Sequence, residues 1–163
     1  MTNRIITRTI RRRRKEGKTD YKARFGLLKS GKARVVVRKT NKYLIGQIVS
    51  SDIAQDKVVV GINSKDLLAN GWPKELAGSL KSLPACYLSG YLLGKKSKEI
   101  KEGILDIGLH RNISQSRIYA FLKGLVDSGF KIAHDEKVFP SDEMLNKNEK
   151  TGNLIKQVKE KIK

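Results

Sequence analysis

The sequence predicts an α/β (α+β) domain: a helix, a three-stranded antiparallel meander, a helix, a strand and a helix around a mixed sheet, preceded by an extended basic arm. Three observations predict it. The stretch Arg34 to Val49, RVVVRKTNKYLIGQIV, has two β-branched runs joined by the polar turn KTNK, which is a hairpin pattern. A third branched run, Lys57 to Ile62 (KVVVGI), follows the short connection SDIAQD, and connections this short join antiparallel neighbours. Further on, two segments with helical periodicity flank a fourth branched run, Ile104 to Leu109 (ILDIGL).

The arm comes first. Between Arg4 and Arg24 ten basic residues are opposed only by Glu16 and Asp20. Like charges at that density cannot pack on one another, so residues 1–18 are predicted to be extended and to order on a counter-charged surface. Arg adds forked donors that grip phosphate oxygens in pairs.

Asp20 is placed to cap a helix from Tyr21 to Ser30, with Gly31 as its stop. Tyr21, Phe25 and Leu28 fall at i, i+4 and i+7, which predicts an apolar stripe that holds the helix while Lys22, Arg24 and Lys29 stay free. In the hairpin turn Asn41 suits a positive φ, since its short amide can satisfy the local backbone.

After the third strand, Ser64 is the predicted cap of a short helical turn, SKDLLAN, closed by Gly71, with Trp72 as a plug over the core edge. The next helix is predicted from Pro84 to Glu102, bounded by Gly103. Its small residues Cys86, Gly90 and Gly94 recur every four positions. Interior glycines each cost a helix about 1 kcal/mol, so close packing, here against the sheet, is the expected return. The polar end KKSKEIKE should face water.

The fourth strand is reached by that helical crossover, which makes a right-handed βαβ unit the default if it lies parallel to the third. Ser114 or Ser116 then starts a helix to Ser128, with Ile118, Phe121, Leu122, Leu125 and Val126 on one face and Arg117 and Lys123 toward solvent. From Phe130 to about Asn148 the chain reads as irregular. Beyond it, NLIKQVKEKIK sets Leu154, Ile155, Val158 and Ile162 on one face of a Lys-rich helix, which fits docking on the domain, on a neighbour or on RNA. The organisation is thus a basic arm (1–18), an α/β domain (19–132) and a C-terminal extension (133–163).

Composition narrows the function. With 35 Lys and Arg against 16 Asp and Glu, the 163-residue chain carries a formal charge of +19. That charge repels itself and calls for a polyanionic partner. No apolar run approaches the roughly 20 residues of a membrane-spanning helix. The lone Cys86 forms no internal disulfide, and with only His110 and His134 it is too little for a structural zinc site, which suits a reducing compartment. No phosphate-cradling P-loop and no Ser-His-Asp or Cys-His spacing is present, and no cofactor is implied.

The motifs, taken together, resemble one family: the large-subunit ribosomal protein numbered eighteen in its archaeal form, whose eukaryotic relative is numbered five. The resemblance is carried by RRRRKEGKTDYKAR (Arg11 to Arg24), RVVVRKTNKYLIGQI (Arg34 to Ile48), GW (Gly71, Trp72), LPACYLSGYLLGKK (Leu83 to Lys96), LDIGLH (Leu105 to His110), SRIYAFLKGLVDSG (Ser116 to Gly129) and FP (Phe139, Pro140), all in the family's order. Three features depart from it: Ala133 in place of a proline, Lys81 and Ser82 before LP, and a short, different tail after Pro140.

The resemblance implies a structural, non-enzymatic constituent of the cytoplasmic large ribosomal subunit. It would bind 5S rRNA and help attach it to the large rRNA at the central protuberance, beside another 5S-binding ribosomal protein and other proteins there, away from any membrane. On that expectation the arm and hairpin form one RNA-binding surface. The candidates are Arg8, Arg11, Arg12, Arg13, Arg14, Lys15, Lys18 and Thr19 from the arm, Tyr21, Arg24 and Lys32 around the first helix, and Arg34, Arg38, Lys39, Thr40, Asn41 and Lys42 from the hairpin. Arg and Lys would supply affinity, Thr40 and Asn41 short contacts to ribose, and Tyr21 a stacking face or a core anchor. The rival readings are a metal-dependent nuclease using Asp106, His110 and Asp127, and a general basic RNA-binding or membrane-surface protein.

Overall fold

The branched runs pair as a meander in the computed structural model, which describes residues 9–52, 55–146 and 149–162. Strand β1 (Arg34–Lys39) runs antiparallel to β2 (Leu44–Asp52), with Val35 opposite Ile48 and Val37 opposite Gly46. β2 in turn runs antiparallel to β3 (Gln55–Asn63). β4 (Glu102–Asp106) lies parallel to β1 on its other side, and β5 (Lys131–Ile132) continues the sheet beyond it. The order β3-β2-β1-β4-β5 makes the sheet mixed, as expected. The crossover from β3 therefore passes over two strands before it lands.

Side chains alternate across a strand, so this sheet has two unlike faces. On one, Val35, Val37, Leu44 and Ile48 are fully buried under α3 (Leu83–Lys96) and α4 (Arg117–Asp127). On the other, Arg34, Val36 and Arg38 share a side with Asp106, which is paired with Val36.

The two helices cross through their glycines. A Cβ on Gly90 would fall 1.9 Å from the Phe121 carbonyl oxygen, and one on Gly124 would fall 1.9 Å from that of Tyr87. Gly94 meets Ser128 of the same segment. The row of small residues thus faces α4, not the sheet. Close approach to the sheet comes instead from Gly46 of β2, which leaves room for the Phe121 ring.

Helix α3 also stops earlier than expected, at Lys96. The Ser97 N–H still reaches the Leu93 carbonyl, but its backbone is extended and its hydroxyl donates to Ile100 O. The chain needs residues 97–101 to turn back, because Glu102 and Gly103 are already in β4. The turn after β3 is capped by Asn63 rather than Ser64: the Asn63 side chain accepts from Lys65 N and Asp66 accepts from Asn63 N. Ser64 is buried, and its hydroxyl accepts from Leu44 N. Trp72 is the expected plug, 3% exposed, with its indole N–H donating to Leu76 O.

The C-terminal extension is more ordered than its composition suggests. After α5 (Asp142–Leu145), helix α6 (Glu149–Ile162) buries Leu154, Ile155, Val158 and Ile162, and these join the core cluster beside Tyr87 and Tyr91 of α3. The Lys159 ammonium lies 4.7 Å from the Tyr87 ring centre and 5.3 Å from that of Tyr91. Of the three surfaces open to this helix, it takes its own domain. Lys123 of α4, expected in solvent, instead donates to Asp142 and to Pro140 O.

Candidate nucleic-acid interface

The arm does not run extended through its described part. Arg12–Lys15 form one helical turn, α1, and Gly17 at φ +63 reverses the chain. Glu16 makes this possible by sitting 2.8 Å from Lys18 and 3.8 Å from Arg12, while Arg13 Nε donates to Thr19 Oγ1 at 2.9 Å. The Arg11 guanidinium lies over the Tyr21 ring at 4.8 Å. Arg8 falls outside the described residues.

Helix α2 (Tyr21–Lys29) starts on Asp20, whose carboxylate accepts from the N–H groups of Lys22 and Ala23, and Gly31 follows it at φ +67. Its stripe, however, does not enter the core. No residue of α2 is buried, and Phe25 is 69% exposed. The helix lies over the ionic face of the sheet, joined to it by Arg24 Nη2 to Asp56 Oδ2 at 2.7 Å.

That face is built around Arg34. The side chain expected to grip RNA is 2% exposed, donating to Asp106 at 3.0 Å, to Asp56 at 2.7 Å and to Ser51 at 3.1 Å. Its register explains the burial: it starts β1 in the middle of the sheet, where its side chain has strand neighbours on both sides. Arg38, two pleat repeats further along, has a side chain 40% exposed; it donates to Asp106 Oδ1 and to the Asp106 carbonyl, and keeps one edge toward solvent.

Burial by itself would raise the Asp56 carboxyl, but hydrogen bonds from Ser51, Arg24 and Arg34 outweigh it and hold the pKa at about 2, against an ordinary 3.8. A folded pKa below the unfolded one gives stability that is complete above pH 4 and lost as pH falls through 2. The stability gap between wild type and Asp56→Asn should therefore narrow from pH 5 to pH 2 in urea unfolding.

The nuclease candidates are all engaged elsewhere. Asp106 is held by Arg34, Arg38 and the Gly108 N–H. His110 Nε2 accepts from Lys39 N at 3.0 Å; burial, then Lys39 and Arg38, lower its pKa and keep it a neutral acceptor. Asp127 accepts from the Tyr87 hydroxyl. Among the described residues no group of three His, Cys, Asp or Glu side chains is placed to hold a metal ion.

At the hairpin tip Lys39, Thr40, Asn41 and Lys42 are exposed. Thr40 uses its hydroxyl within the turn, donating to Tyr43 O and accepting from Tyr43 N. Asn41 does not take the positive φ its residue type allows; its carbonyl accepts from Lys81 Nζ at 3.0 Å. Lys32 pairs with Glu102.

Between α2 and the end of β4 lies a cleft of about 660 Å³, with Arg13, Lys18, Arg24 and Arg38 as its cations, Leu27 and Leu105 among its apolar lining, and His110 at one end. Arg11, Arg12, Arg14 and Lys15 stand exposed beside it. The arrangement offers positively charged donors, three of them forked guanidinium groups, with Arg38 held on the sheet by Asp106 and Arg24 tied to it by Asp56. Sequence patterning misses two participants, His110 in the cleft wall and Lys81 at the tip, because their partners are 71 and 40 residues away.

Known proteins share this chain's pattern. Residues 7–102 match the family of ribosomal large subunit proteins 60S L5 and 50S L18. Large ribosomal subunit protein uL18 of Methanococcus maripaludis is 42% identical over 154 residues, 93% of this chain and 75% of that protein. The uL18 of Methanospirillum hungatei is 46% identical over 134 residues, 81% of this chain and 74% of its own. For that of Aeropyrum pernix the values are 43% over 135 residues, 81% and 61%.

Proposed function

Because the chain belongs to the family of ribosomal large subunit proteins 60S L5 and 50S L18, a family of structural constituents and not of enzymes, we propose that its task in the large subunit is to bind 5S rRNA. It would help attach that RNA to the large rRNA at the central protuberance, beside a neighbouring 5S-binding protein. The observation that carries this reading is the cationic cleft: Arg13 of α1, Lys18 of the connection after it, Arg24 of α2 and Arg38 of β1 converge on one opening.

Helical RNA hides its base edges in a deep, narrow groove, so a protein meets it through phosphates, 2′-hydroxyls and shape. Two parts divide that work. Arg24 and Arg38 are braced by carboxylates and keep unused donors, so they fix where phosphates can sit. The exposed Arg11, Arg12, Arg14 and Lys15 add charge along the path of the backbone. Arg34 acts through them: it holds Asp56 and Asp106, which in turn hold Arg24 and Arg38.

Competition between 5S rRNA and an unrelated structured RNA, at physiological salt, tests the proposal. A clear preference for 5S is expected, and equal affinities would leave only a general basic RNA-binding protein. Each neutralised phosphate should contribute roughly −0.7 to −0.9 to the log–log salt slope. The double variant Arg11→Gln, Arg14→Gln should make that slope shallower by about 1 to 2, measured by filter binding from low to moderate salt.

A further inference from the structure

Phe25 is the largest apolar group on α2 and points away from the core at 69% exposure. Clefts flank it on both sides. One, of about 630 Å³, is lined by Ile10, Arg11, Arg14, Tyr21 and Lys22; the other, of about 560 Å³, by Arg11, Arg13, Arg24, Leu28 and Asp56. Five cations thus surround one open ring, and the single acid, Asp56, is already paired with Arg24 and Arg34. A partner that complements both features carries negative charge and a flat apolar face.

A nucleotide has both. We propose that Phe25, with Tyr21 one turn before it, is a stacking platform for an unpaired base of the bound rRNA. This rests on the reading that this face of the protein binds rRNA. Tyr21 is already covered by the Arg11 guanidinium, and such planes stack on bases as aromatic rings do. Ring, guanidinium and base would form a continuous stack, with the neighbouring cations on the flanking phosphates. Every base has a π-face, so the platform adds affinity for an unstacked nucleotide without choosing among bases. It extends recognition from helical RNA to a loop or bulge.

The test uses the full chain with 5S rRNA, an unrelated structured RNA and a fully paired RNA duplex. Phe25→Ala should weaken binding to 5S rRNA about tenfold or more while leaving the salt slope unchanged, because no phosphate contact is lost. Phe25→Trp should restore the affinity, and Phe25→Leu, apolar but without a flat face, should not. Binding of Phe25→Ala and Phe25→Leu within twofold of wild type overturns the platform and points to a protein partner for this patch. A loss of the same size on the paired duplex, or one that Phe25→Trp fails to restore, also overturns it. Should the wild-type chain bind the two structured RNAs equally, the 5S reading falls, while the comparison of Phe25 variants still decides the platform on both.

Discussion

Gly90→Ala is expected to destabilise the fold by about 3 kcal/mol or more, at the upper end of overpacking costs, and to lower the thermal midpoint by about 10 °C for a chain of this size. The added methyl would sit 1.9 Å from the Phe121 carbonyl oxygen and 2.9 Å from its carbon. Both are backbone atoms inside α4, so no rotamer change relieves the clash and the helices must move apart. Separation in turn uncovers Leu88, Leu92, Leu122 and Leu125, all buried here. Gly124→Ala should behave alike, since its methyl would lie 1.9 Å from the Tyr87 carbonyl oxygen. Gly26→Ala on α2 is the control: nothing lies within 4 Å, and the gain in helix propensity, up to about 1 kcal/mol, should leave the midpoint unchanged or raised. Thermal melting followed by circular dichroism separates the three.

Arg34→Met is expected to cost about 3–5 kcal/mol in urea unfolding, the range for breaking a buried ion pair from one side. The loss strands Asp106, whose side chain is 8% exposed, with Arg38 as its remaining ionic partner, and takes from Asp56 one of its two arginines. Arg34→Lys should not rescue it. Three acceptors on separate elements need the planar fork of a guanidinium, and an ammonium on a flexible stem cannot serve them together. Because Arg34 is buried and its Nη groups donate to Asp56, Asp106 and Ser51, the salt slope of RNA binding by folded Arg34→Met protein should match wild type as long as Arg24 and Arg38 keep their carboxylates. A slope shallower by one phosphate or more would mean that Arg34 meets phosphate itself or that Arg24 and Arg38 lose their positions without it.

These two sites also mark where the sequence was legible and where it was not. Local signals were read correctly: Asp20 and Gly31 bound the first helix, the KTNK turn joins two strands, and Ser116 and Gly129 bracket α4. Each is decided by residues a few positions apart. The row of Cys86, Gly90 and Gly94 was legible as a close contact but not as a contact with a helix, since any flat backbone surface calls for the same small residues. Arg34 misled for the opposite reason. A basic residue at the end of a strand resembles a surface charge until its carboxylates, 22 and 72 residues away, are brought beside it.

Phe25 misled through its spacing. An apolar stripe at helical intervals normally marks a core face, and here that face finds no core among the described residues. The two-residue β5 lies below any periodic signal, and the early end of α3 is set by where β4 must begin, not by the helix-forming residues Lys95 to Glu102. At the candidate site, the charge of the arm was plain in the sequence. The pairing that leaves Arg24 and Arg38 outward while drawing Arg34 inward was not, because it belongs to the register of the sheet.

The parallel pairing of β1 with β4 has a consequence for how the chain is born. Arg34 leaves the ribosome that makes it 72 residues ahead of Asp106, an interval of roughly 4 to 14 s at about 5–20 residues per second. During that interval the meander can zip up locally, but the guanidinium at its centre lacks its buried counter-ion, and the arm's cations are already outside. The nascent protein thus carries its cations before its sheet is complete, and arrival of β4 is the event that supplies the carboxylate holding both Arg34 and Arg38.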